Sequence, residues 1–382
     1  MSTFVGDPAT FPFPQYLANL IISPSADLAG ECKEGSRPAA TLRPYGGVIC
    51  IAGGGEDMKV GLKREGALPG SGAWTHQYGD SARTSLSPDS LVKLPLGLLW
   101  FGGPSNDEIL PRHGHGPSPQ VIGGRLFIEG RDMLRAVDVY TGRKLWQREI
   151  KDLGLYHDNV LHHPGAGLTG GNYVSQTDGI YVMTPELCQV LDPASGKTTR
   201  TLTLPDQDGV KAKWGWMTIS GDLLIAATEP LHVEPPKLKR GEKYPEVVLG
   251  KAFKDIIGVE INADYASSSK KLVVMDRKTG KVLWSRDAVS NFRHNAIVPA
   301  GDKVFCIDAM SKGKIGWIKR RGLELERPAT LYALDARTGK VIWKTDEDVF
   351  GTWLSYSAEH DVLIQCGSSY RDRAFDEARN GI

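Results

Sequence analysis

The sequence predicts an all-β fold, a β-propeller of four-stranded antiparallel blades, with about four and a half blades in 382 residues. Three observations predict it. A β-hairpin pattern occurs four times, strand-like apolar runs precede each copy, and long insertions fall at one place in the repeat. The four hairpins span residues 134–146, 188–200, 272–284 and 331–343.

Each hairpin is marked by an aspartate that ends an apolar run and by Thr-Gly or Ser-Gly that follows three residues later. The Asp side chain can hydrogen-bond its own turn backbone, and Gly supplies the positive φ that such turns need. We therefore expect a purely structural role for the four aspartates, which are Asp138, Asp192, Asp276 and Asp335.

The first 70 residues differ from the rest, because they are rich in Pro, Gly and Ser and carry no copy of the hairpin. The sequence therefore predicts an N-terminal extension at residues 1–70 and a partial propeller at 71–382. Within the extension, residues 44–47 predict a turn that leads into a buried strand ending near residue 52. Further along, residues 96–103 predict an apolar strand that carries Trp100.

Apolar runs bounded by turn residues predict the inner strands of each blade. With the hairpins they give four strands per unit, and the fifth unit lacks its hairpin. The predicted inner strands are 123–129 in the first unit, 173–176 and 179–184 in the second, 216–220 and 222–228 in the third, 296–299 and 303–307 in the fourth, and 352–357 and 362–366 in the fifth.

Two long insertions, residues 229–270 and 309–329, fall between the second and third strands of their units. Because propeller blades radiate from one axis, insertions at the same corner emerge on the same face of the molecule. The sequence predicts that this insert-bearing face is where the protein acts.

Composition excludes several classes of function. Lys plus Arg number 46 against 45 Asp plus Glu, so a net charge of +1 predicts no binding to nucleic acid or anionic membrane. No apolar run is long enough to span a bilayer, and the N-terminus lacks the features of a signal peptide. The five cysteines are scattered without a CxxC pair, so they do not indicate a redox compartment.

A tryptophan ends three of the four hairpins, and Trp100 precedes the first. A blade cannot bury both faces alone, so an outer-strand Trp can pack against the next blade. Burying a Trp removes about 150–250 Å² from water, worth on the order of 4–6 kcal/mol as an upper bound. We expect structural roles for Trp100, Trp146, Trp284 and Trp343.

The pattern A-x-D-x-x-T-G-x-x-x-W at residues 136–146 and 333–343 resembles the tryptophan-docking motif of quinoprotein (PQQ-type) propellers of bacteria. The run WTHQYGD at residues 74–80 is similar to the entry element of the same superfamily, and the resemblance covers about residues 72–382. Members of this family usually have seven or eight blades. The resemblance therefore implies that the sequence is a fragment or that a partner chain completes the ring.

A shorter run, residues 42–52, resembles the late LRPGG-plus-strand element of class I methyltransferases. No early strand with a GxGxxG-like loop accompanies it. Residues 1–70 are therefore interpreted either as the remnant of a methyltransferase-like domain or as a plain extension.

The quinoprotein resemblance implies several activities, since the motif serves dehydrogenases, outer-membrane assembly lipoproteins and sensor domains. Related dehydrogenases hold PQQ with a Ca²⁺ or lanthanide ion bound by Glu, Asn and Asp, use a catalytic Asp, and often carry a disulfide between adjacent cysteines. This sequence has no adjacent cysteines, and no stretch matches the ligand segments. Catalytic and cofactor-binding residues therefore stay unassigned. Relatives of this kind also suggest a periplasmic or cell-envelope location.

Polar and aromatic residues in the connectors and first strands of successive units are the candidate channel or pocket residues. First strands line a propeller's channel, so side chains that are distant in sequence can converge there. They could hold a ligand or substrate, satisfy buried loop carbonyls, or bind a metal through neutral imidazoles. The candidates are His113, His115, His157, His163, Trp216, Arg293, His294, Asn295, Trp353 and Ser355.

Two hypotheses follow from the sequence. In the first, the chain is a binding or scaffold module that holds a small molecule, a glycan or a protein, and no metal. In the alternative, it is a quinoprotein dehydrogenase that oxidises alcohols or sugars with PQQ and Ca²⁺.

Overall fold

The computed structural model describes residues 6–7, 10–24, 35–52, 58–110, 116–154, 166–206, 209–230, 268–309, 329–349 and 353–367. These residues form strands with two short helices, which confirms the all-β fold. None of the helices in this part of the chain is long and apolar enough to cross a bilayer.

The N-terminal part forms a three-stranded sheet around buried Leu42 and Ile49. Its elements are β1 (Leu20–Ser23), α1 (Arg37–Thr41), β2 (Gly47–Ala52) and β3 (Met58–Arg64). The turn predicted at 44–47 is confirmed, because Tyr45 and Gly46 have positive φ values of 59° and 109° immediately before β2. An ion pair of 2.9 Å between Arg43 and Asp138 joins this part to the first blade.

The first two blades are separate four-stranded antiparallel sheets whose strands pair in chain order, as predicted. The first contains β4 (Gln120–Ile122), β5 (Arg125–Gly130), β6 (Met133–Asp138) and β7 (Lys144–Glu149). The short helix α2 (Ala166–Thr169) precedes the second, which contains β8 (Tyr173–Gln176), β9 (Gly179–Met183), β10 (Cys188–Leu191) and β11 (Thr198–Leu202).

The third and fourth blades share one strand and so form a single seven-stranded sheet. Its strands are β12 (Trp214–Ser220), β13 (Leu223–Pro230), β14 (Ser268–Asp276), β15 (Val282–Ala300), β16 (Lys303–Asp308), β17 (Thr330–Asp335) and β18 (Val341–Thr345). The first half of β15 pairs with β14 as an outer strand, and the second half pairs with β16 as an inner strand. Four strands per unit are therefore retained without a break between the units.

The fifth unit has two antiparallel strands, β19 (Trp353–Ser357) and β20 (Val362–Cys366), as predicted. The predicted insertion sites are also confirmed, since 231–267 and 310–328 separate the second and third strands of the third and fourth blades. Both insertions lie outside the described residues.

The predicted strand at 96–103 is wrong, because no strand forms there. Leu96 and Leu98 are 69% and 78% exposed. A strand needs a hydrogen-bonded neighbour, and no other described segment pairs with this one.

Four apolar layers lie between consecutive blades. Side chains alternate along each strand, so each blade contributes residues to a layer on both of its faces. In β9, for example, Ile180 and Val182 pack towards the first blade and Tyr181 packs towards the third. The first strands of successive blades, β4, β8, β12, β15 and β19, contact one another in order. The blades are thus arranged radially as in a propeller, and no closed ring is formed by the described residues.

The turn aspartates have the structural role predicted for them. In the second, third and fourth blades the Asp carboxylate accepts hydrogen bonds from both the backbone N–H and the hydroxyl of the Ser or Thr three residues later. In the first blade, Asp138 instead accepts from the backbone N–H of Tyr140 and also binds Arg43.

Two outer-strand tryptophans each cap the turn of the following blade. Trp146 Nε1 donates to the carbonyl of Pro193 at 3.0 Å, and Trp284 Nε1 donates to that of Ala336 at 2.9 Å. Each acceptor is the residue after the turn Asp. The indole lies on the turn Gly, since a Cβ added at Gly196 or Gly339 would lie 2.6 Å from the Trp ring. We call this contact the indole cap.

At the remaining Trp positions of the repeat, the contact with the next turn is made differently or is not made by a described residue. Trp100 caps the first turn through its donation to Val139 at 2.9 Å, although it lies in no strand. In the degenerate second hairpin, Arg200 stands at the Trp position and donates to the carbonyl of Lys278, while Leu202 contacts Gly280. Trp343 is 41% exposed against 9% for Trp284, and no described turn lies against it.

We expect Trp284→Ala to lower the free energy of unfolding by about 3–5 kcal/mol, because it leaves a cavity above Gly339 and removes a donor from the Ala336 carbonyl. Urea denaturation followed by circular dichroism measures the change. Trp343→Ala is the matched control and should cost less than about 1 kcal/mol, since its indole caps nothing described. Equal losses in the two variants would contradict the role given to the indole cap.

Candidate functional site

A segment that runs past the first strands of all five units occupies the centre of the molecule. We call residues 74–85 the axial segment. Its contacts are made largely by backbone groups and reach every blade. They join Trp74 to Val121, Thr75 to Ser175, His76 to Ile219, Arg83 to His294 and Asn295, and Ala82 to Tyr356.

Arg83 connects the axial segment to the fourth blade. Its guanidinium donates to the backbone carbonyls of His294 and Asn295 and, at 2.7 Å, to Asn295 Oδ1. It also lies 5.4 Å and 5.5 Å from the ring centroids of Tyr78 and Trp216. Arg83 is therefore a buried cation stabilised by neutral oxygens and aromatic faces.

The environment of Arg83 is unusual for a buried charge. Burial lowers the pKa of its guanidinium to about 10, and the nearby Tyr78 partly opposes this shift. Its charge is retained at neutral pH, because even this pKa lies well above 7. On the other side, the Arg83 carbonyl accepts from Ser355 Oγ at 3.0 Å, which ties the fifth unit to the same residue.

His294 is held on both ring nitrogens. Its Nε2 lies 2.8 Å from Ser269 Oγ, and its Nδ1 lies 2.8 Å from the carbonyl of Thr169 in α2. Its ring stacks beside that of Trp216 at a centroid distance of 6.3 Å. Asn295 Nδ2 donates to the carbonyl of Gly167, also in α2. The helix α2 is thus fixed to the start of the fourth blade through its backbone oxygens.

His76 is the buried histidine of the axial segment. Its Nε2 lies 3.1 Å from the carbonyl of Ile219 in β12, and its Nδ1 lies 2.7 Å from Thr75 Oγ1. Burial lowers the pKa of His76 to about 4, although the hydrogen bond to Ile219 acts in the opposite direction. The imidazole is therefore neutral at pH 7. A small cleft beside it is lined by other axial residues and by Tyr173 and Trp216.

The structure brings six of the candidate residues together around the axial segment. Trp216 and His294 stack, Asn295 binds Arg83, Ser355 binds the Arg83 carbonyl, and Trp353 lies 5.1 Å from Tyr78 between ring centroids. Arg293 is buried next to them and pairs in register with Ser268. The other candidates lie outside the described residues, and they are His113, His115, His157 and His163.

Three buried residues of this region, His76, Arg83 and Glu129, are not among the candidates predicted from the sequence. Glu129 lies near the end of β5, where burial raises the pKa of its carboxyl to about 8. Asn172 Nδ2 donates to one carboxyl oxygen at 3.1 Å, and the other has no protein partner among the described residues. The run WTHQYGD was a signal for His76, since it is an aromatic and polar stretch outside the repeat. No sequence signal marks Glu129.

The polar cluster adjoins the roots of both insertions. Pro230 and Ser268 flank the first insertion, and they pair with Ser269 and Arg293 respectively. At the second insertion, Asp308 accepts from the backbone N–H groups of residues 289 and 290 at 2.6 Å and 2.8 Å. Residues 288–295 of β15 therefore lie between the roots of the two insertions.

The described axial residues do not fit a Ca²⁺–quinone site. Calcium requires several free oxygen ligands, but Asn295 Oδ1 and two neighbouring carbonyls accept from Arg83. The Arg83 guanidinium also lies over the ring of Trp216, so this face of the ring is already occupied. Among the described residues, no group of three or more His, Cys, Asp and Glu side chains is placed to share a metal ion.

A family model described as outer membrane protein assembly factor BamB (PQQ_2) matches residues 258–351, which is less than half of the chain. No curated protein matches the sequence. Among solved structures, quinohemoprotein alcohol dehydrogenase from Comamonas testosteroni is 13% identical with a TM-score of 0.46, and the match covers 72% of this chain and 41% of that one.

Two further solved structures match with similarly low sequence identity. BamB from Moraxella catarrhalis is 12% identical with a TM-score of 0.33, over 88% of this chain and 78% of that one. A europium-containing methanol dehydrogenase is 14% identical with a TM-score of 0.36, and the match covers 67% of this chain and 47% of that one. The chain thus spans less than half the length of either dehydrogenase, and the fold described above rests on its own strand pairings.

We expect Arg83→Met to lower the free energy of unfolding by about 2–4 kcal/mol, because three buried acceptors lose their donor. Urea denaturation measures the loss. Arg125→Met is the matched control, since the Arg125 side chain donates its hydrogen bond to Gly123 within its own hairpin. An Arg83→Met protein as stable as the control would contradict the bridging role.

We expect acid to destabilise the protein through His76. Its pKa is about 4 in the fold and about 6.5 when unfolded, so between these pH values the unfolded chain binds more protons. Stability is then complete above pH 6.5 and falls by about 3 kcal/mol as pH is lowered to 4. The measurement compares unfolding free energies of wild type and His76→Gln at pH 7 and pH 4.5. If the unfolding free energies of the two proteins depended on pH in the same way, the assignment of this effect to His76 would be refuted.

Proposed function

We propose that this chain is a protein-binding scaffold module with a PQQ-like propeller fold, acting in the periplasm or cell envelope. The observation that carries the proposal is the axial segment. It fills the position at which a propeller channel would accept a ligand, and its Arg83 occupies the oxygens that line it. The axis therefore serves to hold the blades together.

The insert-bearing face supports the choice of a protein as the partner. Residues 288–295 connect the roots of both insertions, and Val289 in this stretch is 53% exposed. A site that spans two insertions is broad, which suits a protein surface better than a small molecule or a glycan. The match of residues 258–351 to a family described as an assembly factor supports the same choice and the envelope location.

The quinoprotein dehydrogenase alternative receives no support from the axial geometry, because the Trp216 ring and the Asn295 oxygen are engaged by Arg83. The origin of residues 1–70 in a methyltransferase-like domain stays a prediction. Their sheet is attached to the first blade through Arg43 and Asp138, which suits a supporting element.

Site-specific photo-crosslinking in cells that produce the chain tests the proposed function. A photo-reactive amino acid replaces Val289 on the insert-bearing face or, as the control, Lys278 in the turn of the third blade. We expect a discrete protein adduct from position 289 and none from position 278, detected by a mass shift and identified by mass spectrometry. Adducts from both positions alike would contradict a specific face.

The purified protein is also incubated with PQQ and CaCl₂ and passed through gel filtration. We expect the quinone absorbance to elute with the small molecules. Quinone that elutes with the protein, together with dye-linked oxidation of an alcohol, would overturn the scaffold proposal in favour of a dehydrogenase.

A further inference from the structure

A buried carboxyl group lies in the interface between the first and second blades. It belongs to Glu129, near the end of β5, which is 3% exposed. Asn172, immediately before β8 of the second blade, donates from Nδ2 to Glu129 Oε1 at 3.1 Å. Glu129 Oε2 and Asn172 Oδ1 are both buried, and neither has a hydrogen-bond partner among the described residues. One neutral amide is therefore the only described group that is bonded to this carboxyl.

The loop at residues 150–154 covers the carboxyl group. A Cβ added at Gly154 would lie 3.3 Å from Glu129 Oε1, so the loop backbone lies directly against the side chain. The turn between β5 and β6 holds the loop in place, because the backbone N–H of Asp132 donates to the Leu153 carbonyl at 2.8 Å. Leu153 is itself buried in the apolar layer between the first two blades. The carboxyl group meets water only when this loop or the second blade moves.

The titratable group that faces Glu129 from the second blade is the phenol of Tyr173 in β8. Its hydroxyl donates to the Ser118 carbonyl at 2.7 Å. Burial raises the pKa of Tyr173 well above its usual range, and the Glu129 carboxyl adds to the shift. Tyr173 therefore stays neutral and supplies no charge to the interface.

Charged side chains on the elements of the first blade around Glu129 are directed to other partners. Arg135 in β6 binds Glu108. Further charged residues are paired within the β5–β6 turn, bonded within the preceding turn or exposed in the covering loop, and they are Arg131, Asp132, Arg125, Lys151 and Asp152. Among the described residues, no cation therefore offsets a charge on Glu129.

Ionisation of Glu129 would place an unpaired negative charge in a closed interface. A buried charge without a counter-ion is costly, and the cost is relieved either by protonation or by opening of the site to water. Burial accordingly raises the pKa of Glu129 to about 8, although the hydrogen bond from Asn172 acts in the opposite direction. The closed interface is thus the form that suits the protonated, neutral carboxyl group.

We propose that Glu129 is a pH-sensitive switch between the first two blades. The protonated carboxyl keeps the interface closed, and loss of its proton to solvent opens the contact between Asn172, Glu129 and the loop at residues 150–154. Opening is local, because the apolar layer and the indole cap of Trp146 still join the two blades. This inference goes beyond the proposed function, since it concerns an interface between blades and does not depend on the insert-bearing face.

Urea denaturation at pH 6.5 and pH 9 tests the switch. The pKa of Glu129 is about 8 in the fold and 4.5 in the unfolded chain, so between these values the folded state binds more protons. The stability that this provides is complete below pH 4.5 and is lost as pH rises through 8. We expect the unfolding equilibrium constant of the wild type to rise at least about tenfold more than that of Glu129→Gln, whose carboxamide cannot ionise.

Glu149→Gln is the matched control, since Glu149 lies exposed in β7 of the same blade, and it should behave as the wild type does. Hydrogen–deuterium exchange followed by mass spectrometry locates the opening. At pH 9 we expect peptides that cover residues 150–154 and 172–176 to exchange faster in the wild type and in Glu149→Gln than in Glu129→Gln.

The same dependence of stability on pH in the wild type and Glu129→Gln would overturn the inference, and so would equal exchange of both segments in the two proteins at pH 9. If Glu129→Gln does not fold, infrared spectra of the wild type decide. A C=O band of a protonated carboxyl at pH 6.5 that is lost at pH 9 supports the switch, and its absence at pH 6.5 overturns it. Stabilisation of the wild type by CaCl₂ at pH 9, not shared by Glu129→Gln, would overturn it in favour of a cation site.

Discussion

The structure depends on the fact that a blade has two apolar faces and can bury neither alone. The inter-blade layers remove most of this surface from water, but apolar contact has no direction and does not fix how far one blade is rotated on the next. The indole caps supply that direction. Each combines a hydrogen bond to one particular carbonyl with close contact to a glycine, so the second and fourth blades are each held in a single position relative to the preceding blade.

The axial segment supplements the caps from the opposite end of each blade. The caps lie at the outer strands and the axial segment at the inner ones, so the second and fourth blades are fixed at both ends. Arg83 is central to this arrangement, because it joins the fourth blade, the fifth unit and two aromatic rings through a single side chain. Because the axial segment serves to hold the blades together, binding of a partner is left to the faces and edges of the molecule.

The sequence predicted the hairpins, which are local, but it did not predict contacts between residues that are far apart in the chain. The hairpins were recognisable because their aspartate, glycine and tryptophan lie within eleven residues of one another and follow from turn chemistry. The strand at 96–103 was predicted wrongly, since apolar composition does not supply a pairing partner. The axial contacts could not be inferred, because Arg83 meets Asn295 across 212 positions and His76 meets Ile219 across 143. Six candidate residues do converge, yet their common partner, Arg83, carries no motif.

Because the third and fourth blades share strand β15, they are joined differently from the other blades. The third and fourth blades are parts of one hydrogen-bonded ladder from β12 to β18, whereas the first and second are joined to their neighbours by side-chain packing and caps. We therefore expect the third and fourth blades to open as one cooperative unit that is larger than a blade. We therefore expect the amide protons of β13, β14, β16 and β17 to exchange with solvent as a single slow class. The described residues thus form five separate sheets, of which the largest carries the roots of both insertions.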